Sequence, residues 1–116
     1  AAAHVGATAG EVVFTRGTTE AVNLVAAGLG LGPDDEVLTT VAEHHANLLP
    51  WRARARVVTL PSDADGVPRW EALPAALSPR TRLVAIHHAS NVLGTIAPVA
   101  EVVAAARRRD VPVLVD

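Results

Sequence analysis

The sequence predicts an α/β fold, a three-layer α/β/α arrangement on a mostly parallel sheet. Three observations point there. Short Val-rich runs alternate along the chain with Ala-rich segments of helical period. Hydrophobic residues make up 50% of the chain but aromatic ones only 3%, which suits β-branched strands under Ala-rich helices better than an aromatic-filled sandwich. The connections are short, as in successive strand–helix units.

The elements follow in order. EVVFT (11–15) is a β-branched run closed by Arg16-Gly17 and reads as a first strand. TTEAVNLVAAGLG (18–30) places apolar residues at 21, 22, 24, 25, 26 and 29, a helical spacing, with Thr18 or Thr19 as N-cap, Glu20 facing the positive end of the dipole, and Gly28, Gly30 and Gly32-Pro33 as the stop. Residues 35–43 read as a second strand, 45–55 as a helix interrupted or begun near Pro50, and 56–61 as a third strand. SDADG (62–66) is turn chemistry. Residues 70–78 predict a short helix despite Pro74, 81–90 a buried strand, 92–98 a loop, 99–110 a helix with basic residues in its last turn, and 111–116 a closing strand. No internal repeat or linker interrupts this order.

Composition narrows the function classes. A formal net charge of −2 with 19% charged residues argues against a disordered tract and against nucleic-acid binding. The absence of cysteine excludes disulfides and thiolate metal sites within the chain and makes a reducing, cytoplasmic setting the expectation. No apolar run reaches the ~18 residues of a membrane span, and AAAHVGATAGE lacks the pattern of a signal peptide. A start without Met and a stop on the strand VPVLVD read as one partial domain, residues 1–116, truncated at both ends.

In a parallel sheet, ligands collect beyond the carboxyl ends of the strands, and four predicted strand ends carry polar residues: Arg16–Thr19, Glu43–Asn47, His87–Asn91 and Asp116. A Gly-Thr-Thr turn opening a helix suits a compact phosphate, although threonine there also serves as a plain cap. The turn is neither a Walker loop nor a GxGxxG motif. Asp116, ending an apolar strand, either faces a cationic group of a ligand or begins the next loop. The pairs His44-His45 and His87-His88 admit a metal cluster with Glu43, or one imidazole stacked on an aromatic cofactor while the rest pack. Adjacent residues at a strand end point to opposite sides, which disfavours chelation by neighbours. Asn91 reads as a turn residue or a donor to a carboxylate.

Taken together, FTRGTTEAVNLVA, EHHANLLPW, TRLVAIHHASNVLGTIAP and VPVLVD resemble the class V aminotransferase family of pyridoxal 5′-phosphate (PLP)-dependent fold-type I enzymes. Within it they most resemble the SufS-like cysteine desulfurases and selenocysteine lyases. The resemblance implies the PLP-binding large domain of an enzyme that removes sulfur from L-cysteine, giving L-alanine and an enzyme persulfide for iron–sulfur cluster assembly. It also implies a homodimer and a sulfur-acceptor protein as partner. Thr18 and Thr19 would bind the cofactor phosphate, and His44 would stack on the ring and help move protons. Asn91 would contact the substrate carboxylate or the cofactor edge, and Asp116 would pair with the pyridinium nitrogen. Arg16 departs from many relatives, which have a small residue there. The lysine that anchors the cofactor and the nucleophilic cysteine have no counterpart here, since the sequence contains neither Lys nor Cys. Selenocysteine lyases, aminotransferases, epimerases and C–S lyases of the same class share these words, and a non-catalytic α/β binding module is the rival from another class.

Overall fold

The structure is a computed structural model that describes residues 1–116. Its framework is one four-stranded parallel sheet of β1 (Glu36–Thr39), β2 (Arg56–Thr59), β3 (Thr81–Ile86) and β4 (Val113–Val115), in the order β2-β1-β3-β4. Successive side chains of a strand face opposite sides, and both sides are covered. Leu38, Val84 and Ile86 pack on one side with Leu73, Leu77, Val102 and Ala106. On the other side Val37, Leu83 and Ala85 meet Val22, Ala26 and Trp51. The covering helices are α1 (Thr18–Gly28) and α2 (Leu49–Arg52) on the second face, and α3 (Leu73–Ala76) and α4 (Val99–Arg107) on the first. Each fully buried Leu, Ile or Val contributes about 1.5–3 kcal/mol by leaving water, so the sheet is held from both faces. The three-layer architecture is the one the alternating pattern predicts.

The two prolines within predicted helices mark helix starts. Pro50 and Pro74 each lie in the first turn of α2 and α3, where a missing N–H costs nothing. The preceding residues of each predicted helix form separate 3-10 turns, His45–Asn47 and Trp70–Ala72.

The predicted first strand is not one. Ala9–Glu11 form a 3-10 turn closed by a capping box with Thr8, and the chain then runs on without joining the sheet. Val13 and Phe14 are 70% and 87% exposed. β-propensity makes a strand only where a neighbour completes the ladder and covers the side chains, and EVVFT has no neighbour here. The predicted strands 35–43 and 81–90 are also shorter than expected. β1 ends at Thr39, and beyond β3 an antiparallel bridge between Ala89 and Ile96 folds the chain into a tight loop closed by Ser90 N–H on Thr95 O (2.8 Å).

The strand order places the functional edge. From β1 the chain crosses to β2 on one side, then returns past β1 to β3 and β4 on the other. Neighbouring crossovers therefore diverge between β1 and β3, which opens a crevice at the carboxyl ends of those two strands. The opposite end of β1 is closed by the buried Glu36, which accepts hydrogen bonds from Ser78 and from Arg80 (2.9 Å) and lies 3.8 Å from Arg56. The Ser78 hydroxyl foremost, then the Arg80 guanidinium, hold its carboxyl below the usual 4.5.

Candidate active site

A cleft of about 970 Å³ lies at this edge, and residues from separated segments line it. Thr18 and Thr19 come from the start of α1, His44 from the loop after β1, His87 and Asn91 from the chain leaving β3, and Asp116 from the end of β4. Thr18, Thr19, His44, Asn91 and Asp116, the five residues to which the resemblance gives site roles, therefore border one space. His45 and His88 do not line it.

At the start of α1 the expected cap is replaced. Gly17 is the N-cap and no side chain caps the helix, so Thr18 and Thr19 are its first two helical residues. Glu20 reaches back instead: one oxygen accepts from the Arg16 backbone N–H at 2.6 Å and the other from the Arg16 guanidinium at 2.9 Å. These bonds, the side-chain ones foremost, hold the Glu20 carboxyl below its usual range. The two threonine hydroxyls are thus not used as caps, and they stand where free N–H groups and the helix dipole favour an anion.

The His44 ring makes one hydrogen bond, within its own turn. Its Nδ1 accepts the Ala46 N–H at 3.1 Å, so the proton of the neutral ring resides on Nε2. Asp116 is anchored by its backbone, N–H to Ile86 O at 2.9 Å and C=O from His88 N–H at 2.7 Å. The chain's ion pairs join Arg16 to Glu20, Arg56 and Arg80 to Glu36, Arg82 to Asp35 and His87 to Glu43. None engages the Asp116 carboxylate.

Sequence reasoning missed one pair. Glu43 and His87 are 8% and 5% exposed and meet through Glu43 Oε1 and His87 Nδ1 at 2.8 Å. The signal for it lay only in the juxtaposition of two strand ends, Glu43 beyond β1 and His87 beyond β3, which local patterning does not supply. No three His, Cys, Asp or Glu side chains gather in metal-binding geometry.

This donor set suits a flat, phosphorylated, cationic ring. Two hydroxyls sit at a helix start, an imidazole has its free Nε2–H, an exposed carboxylate follows β4, and a buried His87 Nε2 has no partner within the chain. An open parallel sheet with such a cleft beyond its switch point defines a cofactor-binding α/β domain. The profile of the family described as Aminotransferase class-V matches residues 1–116, and the chain belongs to that family. It is 46% identical over 114 residues to a cysteine desulfurase of Cronobacter sakazakii, covering 91% of this chain and 28% of that protein. The apo cysteine desulfurase of Thermococcus onnurineus superposes with a TM-score of 0.91 at 34% identity, over 99% of this chain and 30% of the other. A third relative, a C-DES variant with glycine covalently linked to its PLP cofactor, matches with a TM-score of 0.68 at 30% identity, over 85% of this chain and 29% of its own. The chain thus spans under a third of the length of these relatives.

Proposed function

We propose that this chain is part of the large domain of a PLP-dependent cysteine desulfurase, which removes sulfur from L-cysteine to give L-alanine and an enzyme persulfide. The observation that supports it is the convergence of Thr18, Thr19, His44, Asn91 and Asp116 on one cleft. When bound, PLP supplies an electron sink for bond cleavage at the amino acid's α-carbon.

The chain's own residues prepare the cleft for it. Thr18 and Thr19 hold the phosphate, with the N-terminal N–H groups of α1 adding charge complementarity. His44 lies against the ring and moves protons through Nε2, because Nδ1 is committed to the Ala46 N–H. Asp116 keeps the ring nitrogen protonated, and that cation in turn compensates the carboxylate. Asn91 orients the substrate carboxylate. The amine that anchors the cofactor and the thiolate that takes the sulfur come from outside these 116 residues, which contain neither Lys nor Cys. A homodimer, a sulfur-acceptor protein, a role in iron–sulfur cluster assembly and a cytoplasmic location complete this reading.

The test is product analysis of the full-length protein loaded with PLP and given L-cysteine and a reductant. L-Alanine and sulfide in equal amounts support the proposal. A keto acid, a racemised amino acid or ammonia as the main product assigns the cleft to another reaction of the class.

A further inference from the structure

We propose that Glu43 is a positioning residue of this cleft: acting with His87, its buried carboxylate locks the end of β3 to the segment carrying His44 and thereby sets the height and tilt of the His44 ring. The inference rests on the PLP reading above, but the clamp itself is visible without it.

The Glu43 side chain is 0% exposed, and no Arg or Lys reaches it. Burial of such a group is costly unless strong donors surround it, and here donors converge from three segments. Thr40 Oγ1 donates to Oε1 at 2.7 Å and Asn47 Nδ2 to Oε2 at 2.7 Å, one from each side of His44 in sequence. From β3's end, the His87 backbone N–H and ring Nδ1 reach Oε1 at 3.1 and 2.8 Å. Asn47 is itself held by the Trp51 indole N–H at 3.2 Å, and Trp51 is 0% exposed. A continuous series of bonds therefore runs from the core under α2, through Asn47 and Glu43, to the wall of the cleft at His87.

His44, the residue directly after Glu43, has only the bond from Ala46 N–H to orient its ring. Its placement against a flat molecule is inherited from the clamp on its neighbours. The same geometry fixes His87, because an ionised carboxylate only accepts. The clamp therefore requires a proton on Nδ1 of His87.

The experiment uses the full-length protein carrying Glu43→Gln, His87→Leu or His87→Asn. It reads PLP affinity, the circular dichroism induced in the bound cofactor's visible band, and kcat and KM for L-cysteine. A misplacement of about 1 Å costs about a hundredfold in rate, so Glu43→Gln is expected to lower kcat about ten- to a hundredfold with KM within about twofold, and to diminish the induced dichroism. His87→Leu follows in the same direction. His87→Asn, whose amide N–H stands near the place of Nδ1–H, restores most of the signal. Folded Glu43→Gln and His87→Leu proteins with wild-type kcat and dichroism overturn the proposal. If Glu43→Gln does not fold, His87→Leu against His87→Asn decides: equal values for the two overturn it. Nitrogen-15 NMR of His87 without PLP gives an independent readout, with the proton expected on Nδ1 in the wild type. A proton on Nε2 alone refutes the clamp, whereas wild-type protein with the Nδ1 proton in place but no visible PLP band refutes the cofactor reading.

Discussion

Asn47 offers a quantitative test of the buried polar network. It is 0% exposed, donates to Glu43 Oε2 at 2.7 Å and accepts the Trp51 indole N–H at 3.2 Å. Asn47→Leu keeps similar volume but strips both partners. An indole N–H left unpaired in the interior costs about 1–3 kcal/mol, and a carboxylate deprived of a donor loses about 1.5–3 kcal/mol. The added apolar burial returns about 1 kcal/mol, so the net destabilisation is about 1.5–5 kcal/mol on these figures. Asn47→Asp keeps the acceptor for Trp51 but sets a second carboxylate against Glu43. Burial and like charge raise the pKa of the new group. The folded variant therefore binds more protons than its unfolded chain near neutral pH, and its stability deficit grows as pH rises and shrinks as pH falls. Urea unfolding of the full-length protein at several pH values measures both. An Asn47→Leu protein within about 0.5 kcal/mol of wild type, the range of an ordinary surface change, refutes the reasoning, as does an Asn47→Asp deficit that ignores pH.

Three other substitutions probe the cleft and the sheet. His44→Ala is expected to slow turnover about ten- to a hundredfold or more, the loss of a positioned acid–base group; steady-state kinetics with unchanged turnover would remove His44 from the chemistry. Asp116→Ala is expected to depress turnover further, because the ring nitrogen then loses its proton, and full rate in that variant excludes the carboxylate's role. Glu36, held below 4.5 by Ser78 and then Arg80, contributes stability above its unfolded pKa and loses it as pH falls through the depressed folded value. Glu36→Gln is therefore less stable than wild type at neutral pH, and the gap in urea midpoint closes as pH drops below 4.5; a gap that persists into strong acid contradicts this.

The parts of the site that were legible in the sequence are those set by local order. His44 follows a strand and Asp116 ends one, so strand-end logic brings these two to one edge, whereas Thr18-Thr19, at the start of α1, reach that edge without the strand expected before them. What was not legible depends on partners distant in the chain. EVVFT has strand propensity, but none of the four strands formed within these 116 residues pairs with it, and propensity does not report pairing. The capping role expected of Thr18 or Thr19 is taken by no side chain: Gly17 is the N-cap, and Glu20 at the third helical position reaches back past it to Arg16. Glu43 and His87 stand 44 residues apart, and they meet only because β3 inserts beside β1 rather than beyond β2.

The measurement that bears most directly on the account is a crystal structure of the full-length protein with PLP. The account predicts phosphate oxygens about 2.7–3.0 Å from the Thr18 or Thr19 hydroxyl, the pyridine ring parallel to the His44 imidazole, and the ring nitrogen against the Asp116 carboxylate. A phosphate bound away from the start of α1, or a ring nitrogen facing no carboxylate, would contradict it.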